Sequence, residues 1–293
     1  MKRGELLQRL GLAAVFVLLG ICLLISGREV LAAEGVRTVD VELPGGRGTL
    51  YLPGAVSTVT LPAHEEGEKT LTTAGTVTGA LILSHWPDGA RAAATELCRR
   101  GVAVLIVTDG TDAQTAWDWL LFRPEVRSDS AAILSGDRRA GEALALAASA
   151  AGTPRECAGV VLAGEETLVK AAAGSPAANL LVLTGQEASP EDLAAFYGAR
   201  EDARRGFTGF FSEKTARAAA AVGGDEAAFY RRSVMTRTLD WLGSCLGHRV
   251  ELADDDLLWG RVLGWRFAGG LCFLAALKTL AGCRKRKTDE RTF

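Results

Sequence analysis

Ile133-Leu134-Ser135-Gly136-Asp137-Arg138-Arg139-Ala140-Gly141-Glu142 runs from a short apolar segment, through a turn of small and charged residues, into the alanine-rich stretch that reaches Ala151. This is a strand, a tight turn and a helix in succession, the order in which a buried parallel strand is followed by the helix that covers it. It is also the context that a G-x-S-x-G nucleophile motif requires. Gly136 takes the first glycine position and Arg138 the serine position. A guanidinium stays protonated at any working pH and cannot attack a carbonyl. The stretch has the outline of a catalytic turn and lacks its nucleophile.

Working outward, the same alternation repeats. Four continuous apolar runs, Gly79–Ser84, Val102–Val107, Ser130–Leu134 and Gly159–Ala163, are followed by a fifth, Asn179–Thr184. Such runs are expected of parallel strands covered on both faces. Helical patterns lie between or after them at Ala90–Arg100, Asp112–Leu121, Glu142–Ala150 and Pro190–Tyr197. Upstream, Val39–Leu43 and Gly48–Leu52 alternate around turn glycines and predict an antiparallel hairpin. The segment His64–Thr78 has no apolar period and reads as a surface loop or an edge strand. The expected fold is an α/β domain over residues 38–250, a mostly parallel sheet with helices on both faces.

Four stretches, taken in order, resemble the α/β-hydrolase family, particularly its dienelactone-hydrolase-like and serine-peptidase-like branches, which include bacterial membrane-anchored members. They are Leu83-Ser84-His85-Trp86, Glu96 through Leu105, Trp117–Leu120 with Arg123–Val126, and the turn Gly136–Gly141. The resemblance implies a Ser-acid-His hydrolase built on that sheet, yet the positions it assigns are altered. The nucleophile position holds Arg138. The acid position, in the turn Gly185-Gln186-Glu187-Ala188, holds Ala188, and the histidine position holds Phe207. Trp86 replaces the glycine beside His85 that lets substrate approach the oxyanion donors. The resemblance therefore implies a catalytically degenerate member with no catalytic residues at the expected places.

An alternative set, Ser135, His85 and Glu187, would make an active esterase or peptidase. Ser135 precedes Gly136 and so belongs to the strand end rather than the apex of the turn. Ser84 lies beside His85, but neighbouring strand residues point to opposite faces. A ligand-binding reading centres on Arg138 and Arg139, with His85 and Trp86 nearby: two cations at a helix N-terminus favour a small anionic ligand. The competing reading pairs those arginines with Asp137 or Glu142. No metal-ligand spacing is present and no cofactor is implied.

With 293 residues and 48% hydrophobic content the chain can bury a large core. A formal charge of -2 and the lack of nucleic-acid motifs argue against a nucleic-acid partner. Residues 10–27 contain an uncharged apolar run behind Lys2, Arg3 and Arg9, which reads as a transmembrane anchor or a signal peptide, with residues 1–9 cytoplasmic. Residues 259–281 read as a second transmembrane helix or a surface-lying amphipathic helix. Residues 282–293 then form a basic cytoplasmic tail. The expectation is a cell-membrane protein with an extracytoplasmic main domain, both termini cytoplasmic, and the membrane and a membrane-protein partner as its surroundings. Of six cysteines, Cys98, Cys157 and Cys245 fall in the main domain without a C-x-x-C and read as small buried hydrophobes.

Overall fold

The computed structural model describes residues 10–23, 35–54, 77–84, 87–107, 110–177, 179–198, 204–205, 216–223, 228–246, 257–258, 264 and 267–279. The chain divides into two units, Gly35–Asp256 and a second made of Met1–Glu34 with Leu257–Phe293.

The larger unit is built on one sheet. The hairpin β1 (Val36–Leu43) and β2 (Gly46–Pro53) leads into β3 (Val77–Leu83), β4 (Val102–Val107), β5 (Val126–Gly136), β6 (Gly159–Gly164), β7 (Leu180–Thr184), β8 (Arg204–Arg205) and β9 (Ala216–Ala221). Their order across the sheet is β1-β2-β4-β3-β5-β6-β7-β9-β8. The β1–β2 and β2–β4 pairs are antiparallel and the rest are parallel. This mostly parallel sheet is α/β-hydrolase-like, as the four sequence stretches led one to expect.

The apolar runs give each inner strand two buried faces. Leu81, Leu105, Ile133, Leu162 and Val182 pack on α3 (Ala113–Leu121), α4 (Ala140–Ala150), α5 (Thr167–Ala172) and α6 (Pro190–Gly198), around Trp117 and Phe196. The opposite face carries α2 (Pro87–Arg99) and α7 (Arg232–Leu246). At about 25 cal/mol per Å² of apolar surface removed from water, each buried leucine or valine stabilises the fold by roughly 1.5–3 kcal/mol.

Elements β8, β9, α5 and α7 are additional to the sequence reading. β9, Ala-Arg-Ala-Ala-Ala-Ala, has helical propensity but lies beside β7 as a parallel strand, where small side chains fit between covered faces. α5 was not anticipated either. Of His64–Thr78, only Val77 and Thr78 lie among the described residues, and they open β3.

One buried side chain ties the right half of the sheet together. Asn179 has a left-handed backbone (φ 41°), a conformation asparagine tolerates better than most residues. Its amide Nδ2 donates to Ala158 O at 2.8 Å, its Oδ1 accepts from Ala216 N at 3.2 Å, and its carbonyl accepts from Trp241 Nε1 at 2.8 Å. The approach to β6, β9 and α7 thus meets at one residue.

The smaller unit has an inverted pattern. Helix α1 (residues 10–23) and helix α8 (residues 267–279) meet at Gly20, where an added Cβ would lie 3.0 Å from the Phe273 ring and 3.2 Å from Gly269 O. Ala13 and Ala276 are buried. The large side chains, Leu12, Val15 and Leu18 on one helix and Phe267, Leu274 and Leu277 on the other, are exposed. Among the described residues no helix is long and apolar enough to cross a membrane. The anticipated spans are described only in part.

Replacing Asn179 with alanine removes the donor to Ala158 O and the acceptor for Ala216 N, and puts at φ 41° a residue that tolerates the left-handed region less well than asparagine. Chemical denaturation should show a loss of about 3 kcal/mol. Asn179→Gly, which tolerates the backbone, should lose less, and equal losses would remove the backbone part of this account.

Candidate functional site

The parallel strands direct their C-terminal ends to one edge of the sheet, where open α/β sheets place their ligands. The turn after β5 lies at this edge. β5 ends at Gly136, a single 3₁₀ turn covers Asp137–Arg139, and α4 starts at Ala140. A nucleophile turn is sharp and strained. Here it is not: among the described residues Asn179 is the only non-glycine with positive φ, and Arg139 sits at φ −108° and ψ 9°. The backbone passes from strand to helix through a 3₁₀ turn with no left-handed non-glycine residue.

Arg138 and Arg139 have opposite fates. Arg138 is exposed. Arg139 is buried, 4% exposed, and its guanidinium reaches three segments. Nη1 donates to Val107 O at 3.3 Å and Nη2 to Thr111 O at 2.8 Å, while Nε and Nη2 donate to the Glu142 carboxylate, the latter at 2.5 Å. The end of β4, the segment leading into α3 and the first turn of α4 are thereby held to one cation. Asp112 caps α3 by accepting from Thr115 N at 2.7 Å and Thr115 Oγ1 at 2.8 Å. Those bonds, with the nearby Arg139 charge, hold its carboxyl below the usual carboxylate range.

The alternative catalytic positions are now placed. Ser135 is completely buried at the end of β5, and its hydroxyl faces two backbone carbonyls, Leu83 O at 3.2 Å and Gly136 O at 3.1 Å. Glu187 is exposed in the turn after β7, where Thr184 Oγ1 donates to Gln186 O at 2.7 Å, and Ala188 beside it is half-buried against the core. His85, Trp86 and Phe207 lie outside the described residues. Ser84 is buried at the end of β3, its N–H donating to Val107 O.

Among the described residues an open groove also lies elsewhere. A space of about 440 Å³ runs along the hairpin edge, lined by Asp40, Glu42, Arg47, Tyr51 and Arg91 among others. Its mixed charges come from the alternation that puts Asp40 and Glu42 on one face of β1, and the sequence reading assigned it no role.

Comparison with known proteins gives likenesses of fold at low identity. No family model matches the chain, and no curated protein matches it. Among solved structures, an esterase from Pyrobaculum calidifontis is 13% identical, with a TM-score of 0.46 over 77% of this chain and 90% of that one. A dienelactone hydrolase from Anabaena variabilis is 16% identical, with a TM-score of 0.45 over 72% and 97%. A dienelactone hydrolase-like promiscuous phosphotriesterase from metagenomic libraries is 17% identical, with a TM-score of 0.42 over 82% and 96%. The α/β-hydrolase-like description of this chain stands on its own strand order and register.

Arg139→Met keeps the length of the buried stem and removes every donor. Thr111 O loses this donor, Val107 O keeps the Ser84 N–H, and Glu142 is half exposed, so its share is discounted for solvent. Urea unfolding should show a loss of about 2–3 kcal/mol; an unchanged midpoint would mean that water replaces the guanidinium without cost.

Proposed function

We propose that this chain is a membrane-anchored α/β-hydrolase-fold protein that performs no serine-hydrolase chemistry, and that its exported domain acts as a binding or interaction module. The observation that carries this reading is the turn after β5. The nucleophile position holds Arg138 and the turn around it carries no left-handed residue, so neither the reacting atom nor the backbone geometry that exposes it is in place. Ser135 supports the same reading from the other side. A hydroxyl at 0% exposure, facing backbone carbonyls, has no route to a substrate carbonyl. Ala188 offers no acid.

What remains at the turn suits holding rather than cutting. Arg138 is exposed at the approach to the N-terminus of α4, whose first-turn N–H groups favour negative charge. Arg139, buried and engaged, contributes to the position of the turn. The ligand class we assign is a small anion or an acidic segment of a membrane-protein partner.

Membrane anchoring is supported by the inverted packing of α1 and α8. Small residues meet in the seam while leucines, valine and phenylalanine face outward, the arrangement favoured in lipid and unfavourable in water. The uncharged run at residues 10–26 and the basic cluster Arg284–Lys287 set the orientation, with both termini cytoplasmic.

The purified protein should not react with a fluorophosphonate probe. Labelling that disappears in Ser135→Ala would overturn the inactive reading and identify Ser135 as a nucleophile, as the alternative set with His85 and Glu187 requires. In cells, the chain should stay with membranes through an alkaline carbonate wash. Cys283 should resist a membrane-impermeant maleimide from outside and react after permeabilisation. Release by carbonate, or labelling of intact cells at Cys283, would refute the proposed topology.

A further inference from the structure

The start of β6 brings together two cysteines from distant parts of the chain. Cys157 is completely buried, two residues before Gly159, with which β6 begins. Cys245 is half-buried in the last turn of α7 and packs on that same glycine: a Cβ at position 159 would lie 2.7 Å from its Sγ and 3.0 Å from its own Cβ. Any side chain there would displace the thiol. The glycine is what lets the end of the helix settle on the strand.

A second contact sets the helix on the same point. Trp241 precedes Cys245 by one turn and shares its face of α7. Its Nε1 donates to Asn179 O at 2.8 Å, and Asn179 Nδ2 donates to Ala158 O at 2.8 Å. Ala158 is the residue between Cys157 and Gly159, so the chain of bonds from the helix ends beside both. Two residues span at most about 7 Å, which keeps Cys157 within that reach of the glycine under Cys245, and a disulfide joins Cα atoms about 4.4–6.8 Å apart. The two thiols also sense each other. Burial first, and then a charge on Cys157, push the Cys245 thiol well above its ordinary range.

We propose that Cys157 and Cys245 form a disulfide that locks the last turn of α7 onto the start of β6. The proposal rests on the reading of the domain as exported, because such bonds persist in oxidising compartments. The oxidant is the disulfide of a thiol–disulfide oxidoreductase. When the last turn of α7 opens, Cys245 loses its proton to water, attacks one oxidant sulfur and releases the other as a thiolate. Cys157 then loses its proton and attacks the Cys245 sulfur of the mixed disulfide. The bond between the two cysteines forms as the bond to the oxidant breaks, and the oxidant leaves as a dithiol. Two electrons and two protons have passed to it. Cys98, buried on α2 with its thiol pushed up to about 12 by desolvation, takes no part.

The test takes the full chain from cell membranes, denatures it in N-ethylmaleimide and digests it with trypsin without reduction. Mass spectrometry should find residues 156–170 joined to residues 238–249, a pair that dithiothreitol separates, with maleimide on Cys98. A second arm reduces the purified chain in detergent and exposes it to oxidised glutathione, which makes the outcome independent of where the domain resides in the cell. The bridge should form again and raise the thermal midpoint by on the order of 10 °C. Cys98→Ser should keep that redox-dependent shift and Cys245→Ser should lose it. A bridge in the glutathione arm alone supports the pairing and counts against export. Maleimide on Cys157 and Cys245 in both arms overturns the proposal and leaves the exported reading to the Cys283 experiment. A bridge from either residue to Cys98, or a bridged chain whose midpoint ignores dithiothreitol, also overturns it.

Discussion

The guanidinium of Arg139 decides what the C-terminal edge of the sheet can do. An unpaired cation at that depth would cost several kcal/mol, so its burial requires partners in place around it. It finds them in the Glu142 carboxylate and in the carbonyls of Val107 and Thr111. Those partners belong to α4, β4 and the approach to α3. One side chain therefore holds the turn after β5 against the neighbouring loop. The Asp112 cap of α3, which begins beside Thr111, senses the same charge. In a hydrolase this region must keep a reactive side chain exposed on a strained backbone with space above it. Here the polar groups at the turn are engaged in fixing its position, and the backbone carries no left-handed residue.

Much of this was readable in the sequence, for a physical reason. β4 and β6 are continuous apolar runs because both of their faces are covered, and such runs have few alternatives other than a buried strand. The substitutions at the acid and nucleophile positions, Ala188 and Arg138, are likewise properties of residue type. What could not be read depends on partners distant in the chain. Ala216–Ala221 has the composition of a helix and becomes a strand only because β7 offers a free edge beside it. Its Arg217 is buried against the Phe196 ring and donates to the carbonyls of Ala173, Ser175 and Phe196 at the ends of α5 and α6. A lone arginine in an alanine run gives no hint of that.

Arg138 and Arg139 show the same limit at the site itself. In the sequence they are an equivalent pair, and their separation into one exposed and one buried cation follows from the path of the turn. That path is fixed by Thr111, 28 positions away, whose carbonyl accepts from Arg139. The lack of a left-handed residue at the turn was equally hidden, since an arginine at the serine position is compatible with either geometry. An aromatic–arginine pair at the other end of the sheet was hidden for a related reason: Arg155 stacks on Phe122 across the gap between α3 and the segment before β6.

The two ends of the sheet differ in what they present. At the strand-start end, Phe122 stands clear of the surface with the Arg155 guanidinium over its ring. At the strand-terminal end, Glu165, Glu166 and Glu187 are exposed, as is Arg138. A guanidinium engages a carboxylate or phosphate through directed N–H bonds, so a ligand that brings one such group to Arg138 gains more than a diffuse negative surface, which the exposed carboxylates of the same end repel.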